Sequence, residues 1–208
     1  MTSIRLFTGV VVASVALLAT ASAMAQGTPT RLRGAITAID DKTVTIATRE
    51  GTSVAVKLND NWGVALVAPV AISEIKVGSF VGVASMGSDA DRSALEVLVF
   101  PEAARGSNEG HYPWDLQPQS MMTNATVATV AAGGDGQTLK LDYKDKQGVT
   151  GTQTIKVKPG TPIVTFLPGK KEDAKVGAKV FTGAVKAQDG TFSTSRLLVG
   201  KDGIAPPM

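Results

Sequence analysis

Short runs that alternate apolar with polar residues, split by turn residues, appear in one order along this chain and then again in the same order. In Thr43 to Thr48, Val44 and Ile46 fall on one face, and Thr43, Thr45 and Ala47 on the other. Val54, Val56 and Leu58 repeat the pattern within Ser53 to Leu58. A period of two marks a strand with one buried face. Branching at Cβ makes Val and Ile suit that pleated surface. Leu32 to Ile39 precedes these runs, and Asp40-Asp41-Lys42 and Arg49-Glu50-Gly51 separate them. Alternating runs split by a few turn residues predict hairpins. Val64 to Val67 follows and stops at Pro69. A helical turn is expected at Ile72 to Ile75. Lys76-Val77-Gly78 then leads into strands at Phe80 to Ser85 and Ala94 to Phe100.

The second half repeats this series. Ala125 to Val130 corresponds to Ala35 to Ile39, and Thr138 to Tyr143 to Thr43 to Thr48. Thr154 to Lys158 corresponds to Val54 to Leu58, and Pro162 to Pro168 to the run ending at Pro69. Lys175-Val176-Gly177 matches Lys76-Val77-Gly78, and Ser195 to Val199 matches Leu95 to Val99. The offset between equivalents drifts from about 91 to about 101 residues, as hairpin loops of unequal length would produce. The chain therefore carries a tandem duplication of a unit of about 70–80 residues.

A unit of five or six short strands is too small for two large packed sheets. Closure into a small barrel removes its exposed edges. Three hairpin-connected strands, a helical piece and two more strands have the order of an OB-fold. The predicted fold class is all-β, with two tandem OB-like small β-barrels at 31–101 and 123–201. A Pro-rich connector at 102–122 joins them, and a tail covers 202–208. One β-sandwich built jointly by both halves is the alternative.

Residues 1–25 stand apart. Arg5 precedes an uncharged apolar run, Leu6 to Leu18, and then the small residues Ala19 to Ala25. This is a charged n-region, an apolar core of the expected length and an A-x-A cleavage site. Cleavage fits after Ala23 or Ala25, with Ala25 favoured. The run is shorter than the ~20 residues that span a bilayer, so it predicts a cleaved signal peptide and a periplasmic protein in a Gram-negative cell. No later segment is long and apolar enough to cross as a helix. The chain has no Cys, which excludes disulfides, thiolate metal sites and a Cys nucleophile.

The pieces Arg33-Gly34-Ala35-Ile36, Thr43-Val44-Thr45-Ile46 and Ile75-Lys76-Val77-Gly78-Ser79-Phe80 resemble an exported bacterial domain of unknown function. Its pattern is RGxI…D…xTVTV…DG…V…LxxIKxGxxV. The likeness covers the first unit well and the second loosely. "EGHYPWDL", "MTNATV" and "DGIAPPM" extend it to a narrower alphaproteobacterial group of exported proteins. The resemblance implies the compartment and the fold, and supplies no catalytic residue.

Chemistry-bearing residues are few. His111 is the sole histidine. No G-x-S-x-G elbow accompanies it, so a Ser-His-acid triad is not expected. The acids sit mostly in turns, where they bond local backbone. No Gly-rich loop opens a helix to cradle phosphate. The net charge of +3 is too small and dispersed for a nucleic-acid footprint, and the strands lack stacking aromatics. No enzyme, no cofactor and no nucleic-acid partner are predicted.

What remains is the connector. Glu109 to Met122 holds His111, Tyr112, Trp114 and Asp115 between Pro113, Pro118 and the pair Met121-Met122. Proline keeps it from being helical. As a clasp, Tyr112 and Trp114 would bury area against the barrels, each contributing several kcal/mol at about 25 cal/mol per Å². As a docking face, the same aromatics suit a protein interface. The primary expectation is a non-enzymatic envelope adaptor that binds another protein. The alternative is a small ligand or copper-type metal held around His111, with Met121 and Met122 as thioether donors. One histidine and no cysteine argue against the metal.

Overall fold

The computed structural model describes residues 27–134 and 136–208. The expected signal peptide lies outside the described residues. Among them the chain forms twelve strands joined by short turns. β1 (Thr28–Ile39), β2 (Thr43–Thr48) and β3 (Ser53–Pro69) are followed by β4 (Phe80–Ser88) and β5 (Asp91–Val99). The connector contributes β6 (Gly110–Pro113). β7 (Met121–Gly133), β8 (Gly136–Lys144), β9 (Thr150–Val157), β10 (Ile163–Pro168), β11 (Lys179–Lys186) and β12 (Phe192–Gly200) complete the set. The expected helical turn is a 3₁₀ turn at Ile72–Glu74, and its counterpart is at Lys171–Asp173.

The fold is all-β and contains a closed five-stranded barrel. β1 pairs with β2, β2 with β3, β3 with β12, β12 with β11, and β11 with β1. Only the β3–β12 contact is parallel. Inside lie Ile36, Val44, Ile46, Val56 and Leu197, all at most 1 % exposed. These are the inward positions of the alternating runs, so the pattern of β1 to β3 is explained by one wet and one dry face.

The barrel does not follow the sequence halves 31–101 and 123–201. Three of its strands come from the first half and two from the second. The other strands follow the reciprocal order. β4 pairs with β5 and β7, β7 with β8, and β8 with β9. β5 meets β9 in parallel over two residue pairs, Arg92↔Ile155 and Ser93↔Lys156. They enclose a second core with Val81, Val83, Val97, Leu139, Leu141 and Ile155. The hairpin β4–β5 thus serves the strands of the second half, and β11–β12 those of the first. Antiparallel pairing alone could have kept each hairpin at home, and a single sequence carries no record of the exchange.

The exchange is reciprocal about one point. β3 runs unbroken to Pro69, where two separate runs had been expected, because its end has two partners of its own. It pairs antiparallel with β10, with Val67 opposite Phe166 at the centre, and parallel with β12. β10 in turn runs parallel to β5, Leu98 beside Val164, as Leu198 lies beside Ala65. Equivalent strands also slip register at equivalent places, Ile36/Ala38 in β1 and Val127/Thr129 in β7. Gly78 and Gly177 sit at φ +84° and +87° in matching turns closed by Ser79 N–H to Lys76 C=O and Ala178 N–H to Lys175 C=O. A positive φ at the third position of such a turn selects glycine. The register shifts and the glycine turns thus recur at positions that the sequence reading paired.

Candidate functional site

A third apolar cluster lies where the halves meet, built from Ala65, Val67, Leu98, Val164, Phe181 and Leu198. Beside it opens a cavity of about 650 Å³. Its floor is the outer face of β5, β4 and β7. Period-two alternation puts Glu96 and Leu98 of β5 on this face, while Val97 points into the second core. Across the strands, Glu96 faces Ala84 and then Met122, and Leu98 faces Gly82 and then Asn124. Gly82 keeps the floor low. A Cβ there would come within 2.7 Å of the Asn124 side-chain oxygen and 3.1 Å of the Phe100 ring. Phe166, Phe181, Tyr112 and Trp114 wall the cavity, and Arg196 stands among the lining groups.

Two polar groups in this apolar setting have no partner among the described residues. Glu96 is 1 % exposed, and neither carboxyl oxygen accepts a hydrogen bond. Burial pushes its pKa up to about 8, against the smaller opposing pull of the Arg33 charge. The indole N–H of Trp114 is likewise buried and unpartnered. Buried polar groups ordinarily find partners, and each one left bare costs about 1–3 kcal/mol.

The connector is clamped over the cavity. β6 pairs with the start of β7, so His111 lies opposite Thr123 and Tyr112 opposite Met122. The next residues cross to β1. The Arg31 guanidinium lies 3.9 Å from the centre of the Trp114 ring, and Tyr112 meets that ring edge-on at 6.2 Å. Arg33 donates to Asp115 at 2.7 Å and to the main-chain oxygen of Met208, and Arg49 donates to the Asp115 carbonyl at 2.9 Å. Burial works to raise the Asp115 pKa. The hydrogen bond from Arg33 and the charges of Arg33 and Arg31 outweigh it and hold the carboxyl below the usual range. Arg33 is almost fully buried, so Arg33→Met is expected to cost about 2–3 kcal/mol, since it strips two charged hydrogen bonds. Asp115→Asn, at a half-exposed partner, should cost about 1 kcal/mol or less. Urea unfolding of the two variants checks the ratio.

Of the four connector residues singled out in the sequence, His111, Tyr112 and Trp114 border one second hollow of about 540 Å³, and Asp115 is not among its lining residues. Tyr112 and Trp114 also line the seam cavity, and Asp115 anchors the clasp. His111 is not among the residues that line the seam cavity. Its Nδ1 is 2.8 Å from the Thr123 hydroxyl and its ring stacks on Tyr143 at 6.2 Å. Burial lowers its pKa, as does the charge of Arg92, with Asp89 opposing. The candidate donors for copper do not converge. Strand alternation puts Met121 on the His111 face of the β6–β7 pair and Met122 on the opposite, cavity face. Among the described residues no cluster of three or more His, Asp or Glu is placed to hold a metal ion. No helix among them is long and apolar enough to cross a membrane.

Comparison with protein-family models, with curated proteins and with solved structures returns no match.

Glu96, the residue on which the cavity turns, was passed over in the sequence. Its signal was present: in Ala94 to Phe100 it is an acid between apolar neighbours, and shares its strand face with Leu98 and Phe100. Arg196, its counterpart in the second half, occupies the equivalent place in Ser195 to Val199.

Proposed function

We propose that this chain is an exported, non-enzymatic binding protein of the cell envelope that holds a small, largely apolar ligand at the seam between its halves. The observation that carries this reading is the cavity of about 650 Å³ whose lining includes Glu96 and Trp114, residues whose carboxyl oxygens and indole N–H are buried and unpartnered. Ligand sites are typically apolar hollows of this size with a few polar groups that fix orientation. We read each strand circuit as an OB-like barrel, completed by a hairpin of the other half. That arrangement sets the ligand between modules, where binding sites commonly form. The cavity presents a single acidic side chain and no histidine, which favours capture over acid–base catalysis. The resemblance to exported domains supports the periplasm as the compartment.

The test uses the neutral apolar dye N-phenyl-1-naphthylamine with a Trp62→Phe variant, in which Trp114 is the sole tryptophan. Saturable one-to-one binding with energy transfer from Trp114 is expected. Binding without transfer, or none, overturns the reading.

A protein partner is the second reading. The turns at Lys76-Val77-Gly78 and Lys175-Val176-Gly177 hold Val77 and Val176 out at 67 % and 65 % exposure. Exposed apolar tips favour contact with another chain. Crosslinking in the envelope that is lost in the Val77→Asp/Val176→Asp double variant would support it.

A further inference from the structure

The chain carries ten aromatic side chains. Five of them, Phe100, Tyr112, Trp114, Phe166 and Phe181, line the seam cavity with a single acidic side chain, Glu96. That concentration limits the polar group the cavity can take. Aromatic faces attract cations, and a carboxylate with bare oxygens accepts only from donors. The lining supplies none to Glu96. The Asn124 amide nitrogen is committed to Ser107 C=O and the Tyr112 hydroxyl at 3.0 and 3.1 Å. Arg33, the nearest charge from β1, is spent on Asp115 and Met208. Arg196 from β12 rests over Phe166 at 5.8 Å. A well-packed apolar residue would be cheaper at position 96 than an unpaired acid. The donors that answer Glu96 therefore come from outside the chain.

We infer that the seam cavity selects an organic primary amine, with its ammonium against Glu96, its apolar body along Leu98, Leu198 and the aromatic walls, and an acceptor oxygen for the Trp114 indole. This rests on the binding reading above and names its ligand class. A quaternary ammonium has no N–H to give the two oxygens and fits less well. An anion can accept the Glu96 O–H but brings uncompensated negative charge into the apolar cavity. A neutral alcohol supplies one donor and no charge. Because the acid is neutral in the free protein near pH 7, ammonium binding ionises it: the O–H bond of Glu96 breaks, its proton passes to the buffer, and the carboxylate pairs with the ammonium. Arg33, Arg196 and Tyr112 are the other charged or titratable groups that face this acid or line its cavity.

The experiment is calorimetric titration of the full chain at pH 7 in phosphate and in Tris, whose ionisation enthalpies differ. The probes are tyramine and 2-phenylethylamine, with 2-phenylethanol, its trimethylammonium analogue and 3-phenylpropionate as comparators. The amines are expected to bind at least about 30-fold more tightly than the comparators. Close to one proton should be released per amine bound. Glu96→Gln, its fold checked by circular dichroism, is expected to erase the preference for amine over alcohol. Equal affinity for amine and alcohol in the wild type, or a preference that survives Glu96→Gln, overturns the amine inference. If N-phenyl-1-naphthylamine still transfers energy from Trp114, the cavity remains a ligand site and only the ligand class is wrong. If neither dye nor amine binds, both readings fall.

Discussion

Wild-type stability is expected to fall as the pH rises from about 5 to about 8, and Glu96→Gln to remove that fall. Glu96 is buried with no hydrogen-bond partner, and its pKa is pushed from the ordinary 4.5 up to about 8. Between those values the unfolded chain has lost the proton that the folded chain keeps. Stability therefore declines with pH across the window and is level above it. Three and a half units at about 1.4 kcal/mol each give a total on the order of 5 kcal/mol. Water entry and local relaxation will reduce it, so this is an upper figure. Other groups move differently. His111 has a lowered pKa, so its burial penalises folding only below its ordinary value and adds stability as the pH rises there. The lowered pKa of Asp115 places its contribution at more acid pH. Tyr112 is shifted upward from 10, beyond the window. The difference between wild type and Glu96→Gln isolates the acid. Urea unfolding at pH 5, 7 and 9 should give a gap that is small at pH 5 and several kcal/mol in favour of the variant at pH 9. A gap independent of pH would mean that the carboxyl is ionised and partnered throughout.

Much of the local structure was legible because local chemistry decides it. Thr43–Thr48 was read to the residue, since alternation and flanking turns both mark its ends. The Lys-Val-Gly turns were found in both halves, since each needs a glycine at positive φ. Which strand pairs with which half was not legible. β11 would satisfy its hydrogen bonds equally beside β1 or β7, and the choice rests on packing of whole cores that no window of residues displays. The connector was recognised as extended and aromatic, but its chemistry was divided differently. Tyr112 and His111 are adjacent, so in a strand they face opposite ways. Tyr112 reaches the seam cavity and His111 the Thr123 hydroxyl, and both border the second hollow. Met121 and Met122 are parted by the same geometry. Glu96 was missed because an acid in a strand is usually on the wet face. Only the packing of the connector and of Phe181, Leu198 and Met208 around this face shows that it is enclosed.

Leu197→Ala and Val97→Ala are expected to weaken opposite halves of the sequence from the ones they occupy. Leu197 is fully buried in β12, yet it packs among Ile36, Val44, Ile46 and Val56 of β1 to β3. Val97 is its equivalent in β5 and packs among Leu139, Leu141 and Ile155. Truncation leaves a cavity that close-packed surroundings fill only in part. The cost is about 3–5 kcal/mol for Leu197→Ala and about 2 kcal/mol for the smaller Val97. Hydrogen exchange shows where that cost lands, because local opening reports the cooperative unit rather than the position of the mutation. Leu197→Ala should speed exchange at 36–58 and leave 125–157 nearly unchanged. Val97→Ala should do the reverse. If each substitution instead loosened its own half, the hairpins would belong to contiguous units, and the seam cavity would lose two of the three strands that build its floor. A uniform loss across both would mean that the circuits unfold as one body. Denaturation would then be a single transition, and ligand at the seam would stabilise both halves equally.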